Sequence, residues 1–432
     1  MLGRYLIGGV PISDSDESFQ MALNHAHGKR DRPLCLCRDA PIPMYIARID
    51  GRFFVKRMPN SGATHDPMCA SYEPPPELSG LGNVLGNAIT DDCEEGGTTL
   101  RVGFSLTRRP GRGAIAQAGS ISDSVESDAN KLTLRSTLHY LWDQAGFNRW
   151  SPRMEGKRSW HVIRRHLLGA AEGKTMKGQG LGDLLYVPEA WAKEHADEIK
   201  ARRDQTLSRI VPTTGGARSL MLCIGECKTV QQSVFGYKLI IKHAPDFSIF
   251  FSKEVHERIE KRFAMEFGLK ETIADSHMMF IATFGLNVSR GADLDEISFV
   301  MCTKDWIPFE TPDEASLVES LVSQRRHFVK GLRYNVAAGE PLATAVLLDS
   351  VAKETALYIV PASASEQYHH GIEELQANSS LPHWTWNVGE HAQVPALPSL
   401  AMSSHRGASS GSPKRHEAVR SSAESVARGA SS

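Results

Sequence analysis

Apolar residues in this chain recur with two periods, and the changes between them mark off its segments. Near the start, Arg4–Val10 reads as a short strand. Asp14–His27 then places Phe19, Leu23 and Ala26 on one helical face before Gly28 stops it. Met44–Ile49 and Arg52–Lys56 form the predicted arms of a β-hairpin turned by Asp50-Gly51, and Glu73-Pro74-Pro75-Pro76 interrupts regular structure. A strand is predicted at Thr99–Leu106 and a Ser/Gly/Ala-rich linker at Ala114–Ser127. The period then turns helical. Leu134, Leu138, Leu141, Trp142 and Ala145 share a face ahead of Gly146, and Trp160, Ile163 and Leu167 share another after Ser159.

Beyond residue 180, short apolar runs alternate with helical stretches. Leu220–Ile224, Lys238–Lys242, Met278–Phe284 and Ile297–Cys302 read as buried strands, and Thr344–Leu348 with Ala356–Val360 as a closing strand pair. Pro188–Leu207, Ser252–Phe267 and Ala315–Val329 read as helices. The mixture predicts an α/β or α+β fold. Five stretches are expected: a Cys/His module over 1–75, a strand and linker over 76–130, a basic helical segment over 131–180, an α/β body over 181–362 and a C-terminal extension over 363–432. The last 32 residues hold ten serines and no aromatic, so disorder is expected from about residue 395.

Composition narrows the picture. A chain of 432 residues, 41% hydrophobic and 23% charged, belongs with soluble globular proteins of two or three domains. A net charge of −1 leaves nucleic-acid contact to local patches. The opening residues lack a basic n-region and contain Gly8-Gly9, so no signal peptide is expected, and no apolar run nears the roughly 20 residues that span a bilayer. The expected compartment is a reduced cytoplasm, where clustered cysteines favour metal over disulfides.

The clearest chemical pattern is Cys35-Leu36-Cys37, followed after 27 residues by His65-Asp66-Pro67-Met68-Cys69. Three thiolates and an imidazole complete the tetrahedron of a structural zinc site, and the intervening hairpin would bring the two halves together. Three unrelated thiols in a small reduced domain are the alternative, and His25 or His27 could replace one ligand.

A second pattern is basic. Arg149, Arg153, Lys157, Arg158, Arg164, Arg165, Lys174 and Lys177 face only Glu155 and Glu172, with Trp150, Trp160, His161 and His166 interleaved. Cations beside aromatics are a footprint of DNA or RNA binding, and equally of an amphipathic helix with a solvated basic face. A similar ambiguity attends Arg325–Tyr334, whose cations suit either a phosphate-binding edge or a helix C-terminus.

The third pattern is Gly225-Glu226-Cys227-Lys228 after a predicted strand. Glu226 and Lys228 would supply half of a divalent-metal nuclease site, with Asp183 as the upstream acid it also needs, or simply end a strand at the surface. Cys223 and Cys227 read as core thiols. Walker, Rossmann, nucleophile-elbow and His-Glu-x-x-His signatures are absent.

Several blocks resemble a known family. Pro33–Cys37, Met58-Pro59 through Cys69, Phe147–Trp150 before Lys157–Trp160, Trp306–Glu310, and Phe328–Asn335 with Ala356–Pro361 are similar to the bacterial family of domain of unknown function 1173. The likeness runs from about residue 1 to 362. It implies that Cys35, Cys37 and Cys69 are shared, that no activity is assigned, and that relatives lie on plasmids and integrated conjugative elements. A looser similarity joins the order of elements to competence-type proteins with a restriction-nuclease-like fold. Their catalytic carboxylates would fall at Ala343-Thr344 and Tyr358, where this chain has none.

These observations predict a non-catalytic zinc-binding accessory protein of a mobile element that contacts nucleic acid. A metal-dependent nuclease and a protein-interaction scaffold are the alternatives.

Overall fold

The computed structural model describes residues 3–29, 31–49, 51–92, 96–108, 129–212, 218–351 and 353–401. The Ala114–Ser127 linker, Asp50 of the hairpin turn and the serine-rich tail after residue 401 lie outside them. The fold is mixed α/β, with ten α-helices and several sheets among the described residues. No helix there is long and apolar enough to cross a membrane.

The N-terminal sheet has five strands in the order Val10–Ser13, Arg4–Ile7, Leu34–Cys35, Ile42–Ile49 and Arg52–Arg57. Ile42, Met44 and Ile46 alternate inward along their strand and pack on Tyr5, Ile7 and Cys35, with Leu23 reaching in from the helix Phe19–Ala26. The opposite face of that strand is covered as well. Gly96, at φ +78°, lies so close that a side chain on it would sit 2.6 Å from the Ala47 Cα. Only glycine suits both the dihedral and the approach.

Five strands of the body close on themselves. Met221–Ser233, Gly236–Ile241 and Ser248–Phe251 form an antiparallel meander; Ser248–Phe251 pairs in parallel with Ala292–Cys302, which pairs with His277–Leu286, and that strand returns to Met221–Ser233. The ring is a small Greek-key barrel, an architecture that removes sheet edges by closure. Its period of two sorts the side chains. Cys223, Leu239, Ile249, Phe280, Phe284 and Phe299 belong to the barrel's own core, together with Val255, Ile259, Phe263 and Leu269 from the two helices Lys253–Arg262 and Ala264–Thr272. Leu222, Ile224, Met279, Ile281 and Val300 face outward into a second core shared with the helices Leu134–Gln144 and Trp160–Ala171. Burial on both faces is why these strands read as continuous apolar runs.

A further five-stranded sheet runs His383–Asn387, Thr355–Val360, Ala345–Leu347, Phe328–Lys330, Arg149–Trp150. Its edges thus come from the stretch expected as a basic helical segment and from the expected C-terminal extension. Thr355–Val360 and His383–Asn387 are parallel, joined across the helix Glu366–Asn378, as parallel pairing requires. Residues as far as Ala401 are held: Val351 N–H donates to the Ser399 carbonyl at 3.2 Å and Ala401 N–H to that of Asp349 at 2.8 Å.

Several element boundaries differ from expectation. The predicted helix Ala315–Val329 is observed as Pro312–Ser323, started by the Thr311 side chain accepting from Glu314 N–H, and Phe328 and Val329 lie in a strand. Arg325, at φ +56°, makes the turn between them. Pro188–Leu207 is α-helical only from Ala196, after a 3₁₀ turn at Lys193–His195, and Ser252–Phe267 is divided at Phe263.

Candidate metal centre

The Leu34–Cys35 strand supplies Cys35 and the turn after it Cys37, while the segment following the hairpin supplies His65 and Cys69. Their ligand atoms all lie within 4.8 Å of one another. Cys35 Sγ and Cys69 Sγ are 3.8 Å apart, and His65 Nδ1 is 3.4 Å from Cys37 Sγ and 3.8 Å from Cys69 Sγ. A tetrahedron with Zn–S bonds of about 2.3 Å and a Zn–N bond of about 2.0–2.1 Å has edges of roughly 3.8 Å between sulfurs and roughly 3.6 Å between sulfur and nitrogen. The observed separations fit that cage. They exclude a disulfide, whose sulfurs stand about 2 Å apart.

The surroundings suit thiolates. Asp66 N–H and Ser71 N–H point at Cys37 Sγ and Cys69 Sγ, each at 3.4 Å. The hydrogen bond from Cys35 pulls the Cys69 thiol down to about 3, helped by His65 and the Ser71 amide against the effect of burial. The same bond, together with burial, pushes Cys35 up. The His65 carbonyl accepts from Arg38 Nη2 at 2.9 Å, which fixes the turn carrying the imidazole. His25 and His27 take no part in this cluster; the His27 ring packs against Phe53 at 5.2 Å.

Arg149 ties the centre to the body. Its guanidinium, which burial holds below its usual range, donates to the carbonyls of Cys69 and Tyr72. Between the two lies a cleft of about 610 Å³ bounded by Met68, Cys69, Glu73, Arg149, Arg153 and His327. Burial pushes the Glu73 carboxyl there up to about 7, against the pull of its partner Arg57.

The other basic candidates separate into two groups. Arg158 donates to the carbonyls of Phe147, Arg149 and Asp305 and lies over the rings of Phe147 and Trp150. Arg164 donates to the Val187 carbonyl at 3.0 Å, and Lys177 to that of Phe104. Lys174 is buried beside the Tyr140 ring. Arg153, Lys157 and Arg165 are exposed.

Among the described residues, neither Asp183 nor Glu226 belongs to a group of three or more His, Cys, Asp or Glu side chains that could hold a metal ion. Asp183 is exposed and pairs with Arg209 at 2.7 Å. Glu226 sits inside its strand, 4% exposed, rather than at the strand's end. Its carboxylate accepts from Lys242 at 2.7 Å and lies 2.9 Å from His277 Nδ1 and 3.2 Å from His243 Nε2. Burial would push this carboxyl up, but the hydrogen bonds from His243, His277 and Lys242 outweigh it and hold it well below the usual range. Sequence reasoning missed both histidines, which stand 17 and 51 residues from Glu226. No sequence signal marked them; in the fold the Trp160 and Trp306 rings stack on His243 and His277 at 4.5 and 3.7 Å.

Four side chains that could hold a metal ion thus converge on a small antiparallel sheet attached to a larger α/β body. The chain belongs to the family described as Protein of unknown function (DUF1173), whose model matches residues 5–389. That span includes all four ligands and the last strand of the body. No curated protein and no solved structure matches the chain.

Proposed function

We propose that this protein is a zinc-stapled, cytoplasmic accessory protein of a bacterial mobile element, and that it contacts nucleic acid. The observation carrying the reading is the convergence of Cys35, Cys37, His65 and Cys69. Three sulfurs and a nitrogen fill the coordination shell of zinc and leave no position for water, so the metal serves folding rather than a reaction. The mobile-element setting rests on the family resemblance.

Nucleic-acid contact is supported by Arg153, Lys157 and Arg165, the cations of the basic segment left to solvent. Ammonium and guanidinium groups that neutralise phosphates release counterions, which makes binding salt-dependent. Reversing all three charges (R153E, K157E, R165E) is therefore expected to weaken binding of a labelled oligonucleotide at least about tenfold and to reduce the slope of log K against log salt by roughly 2–3. Fluorescence anisotropy across a salt series measures both. Binding unchanged by the triple reversal would overturn the assignment to these residues, and absence of binding by the zinc-loaded wild type would overturn the nucleic-acid reading itself.

A further inference from the structure

Among the described residues, one face of the barrel is left uncovered. Along Gly236–Ile241, Leu239 and Ile241 point into the barrel and Lys238 points out; along Ser248–Phe251, Ile249 and Phe251 point in and Phe250 points out. Lys238 and Phe250 are direct cross-strand partners. Phe250 is 39% exposed, and the turn between the first two strands carries Val234 and Phe235, 85% and 95% exposed. The loop between the last two strands of the barrel, Asn287–Gly291, adds Val288 at 85%. Phe235, Phe250, Asn287 and Arg108 line one groove of about 450 Å³. Isolated apolar residues on a surface need no explanation, but large apolar groups gathered from a turn, a strand and a loop around one groove mark a binding surface.

The chemistry of the groove selects the occupant. Two exposed phenyl rings offer stacking faces without preference for a particular base. Arg108 lines the groove with them, and Lys238 is the cross-strand partner of Phe250. Arg108 faces Arg218 directly across an antiparallel pair, an arrangement of like charges that an anion between them would relieve. Of the carboxylates on this side, Asp293 accepts from the Asn287 amide at 3.1 Å and Asp295 from Thr283 at 3.3 Å. Asp293 is thus held by a neutral donor, while Asp295 also feels the positive charge of Arg108. Five-stranded Greek-key barrels carry oligonucleotides or oligosaccharides across the face of their second and third strands and the flanking loops. Here those elements hold the two phenyl rings. Fold alone would not assign the site; the placement of rings and cations does.

We propose that the outer face of Gly236–Ile241 and Ser248–Phe251, with the Val234-Phe235 turn and the Asn287–Gly291 loop, binds single-stranded nucleic acid by stacking bases on Phe235 and Phe250 and holding phosphates with Lys238 and Arg108. This rests on the nucleic-acid reading above and gives it a second, chemically distinct surface. Duplex, with its bases already stacked inward, cannot use the rings.

The test uses the full-length, zinc-loaded protein with labelled oligo-dT and oligo-U and a duplex of equal length. Single strands are expected to bind more tightly than duplex. Phe235→Ala and Phe250→Ala are each expected to weaken single-strand binding about 5- to 100-fold while leaving duplex affinity unchanged. Both residues are exposed, so the variants should keep the wild-type melting curve. Phe250→Trp supplies an independent signal, since its fluorescence should be quenched as oligo-dT is added. Single-strand affinity unchanged in both alanine variants, with Phe250→Trp emission unmoved, would overturn the proposal while leaving nucleic-acid contact through Arg153, Lys157 and Arg165 intact. Failure of the wild type to bind any oligonucleotide would overturn both. Wild-type self-association abolished by the alanine variants would assign the face to a second copy of the chain instead.

Discussion

Cys35→Ser and His65→Ala should each abolish stoichiometric zinc binding and unfold the N-terminal sheet while the body remains folded. Cys35 is both a ligand and a member of the small core around Tyr5, Ile7, Leu23, Ile42, Met44 and Ile46. That core is too small to hold five short strands alone, so the metal supplies much of their stability. Structural zinc in small peptides contributes roughly 10–16 kcal/mol at neutral pH. Loss of even a third of that exceeds what the module can retain. Protons compete with zinc for thiolate and imidazole, so the same loss should appear in the wild type as pH falls. Hydrogen exchange resolves the two parts. Protection should vanish in Arg4–Ile7 and Ile42–Arg57 and persist in the barrel strands; protection lost uniformly, or retained everywhere, would contradict this division.

The second large effect is expected at Asp349. Its carboxylate accepts from Arg326 Nε and Nη2 at 3.0 and 2.8 Å and from the His327 N–H at 2.7 Å, and Arg326 Nη1 reaches the Pro398 carbonyl at 2.8 Å. Arg326 is 2% exposed. Asp349→Ala leaves that guanidinium buried without its counter-charge and should destabilise the protein by about 3–5 kcal/mol. Removing both charges with Arg326→Met and Asp349→Leu should recover much of the loss, because the desolvation penalty disappears together with the attraction. Thermal melting of the two variants decides it. A single mutant as stable as wild type, or a double mutant no better than the single, would contradict a buried pair.

How much was legible in the sequence follows from how local each feature is. The hairpin and the ligand pattern around it could be read because the turn, the alternation and the Cys-x-Cys spacing all lie within one short window. One capped helix start was also readable: Ser252 begins its helix where expected, its hydroxyl accepting from Val255 N–H, whereas the Thr311 cap was missed. Closure of the barrel was not. Its strands are apolar on both faces, which hides which face points inward, and the parallel pairing of Ser248–Phe251 with Ala292–Cys302 depends on contacts far apart in the chain.

The basic segment shows a different limit. Composition marks Arg158 and Arg153 alike. Only the fold shows that Arg158 is spent on carbonyls of its own chain while Arg153 faces solvent. Glu226 was singled out as a carboxylate just after a buried strand, but its partner His243 arrives from the turn after Gly236–Ile241 and His277 from the strand His277–Leu286. Residue type and strand position carry no information about such partners.

The most direct measurement is zinc K-edge X-ray absorption on the purified full-length protein, with metal content determined on the same sample. One zinc per chain, in a shell of three sulfurs near 2.3 Å and one nitrogen near 2.0 Å, is the expected result. An N-terminal sheet folded without zinc, or a shell of oxygen and nitrogen lacking sulfur, would contradict the assignment of Cys35, Cys37, His65 and Cys69.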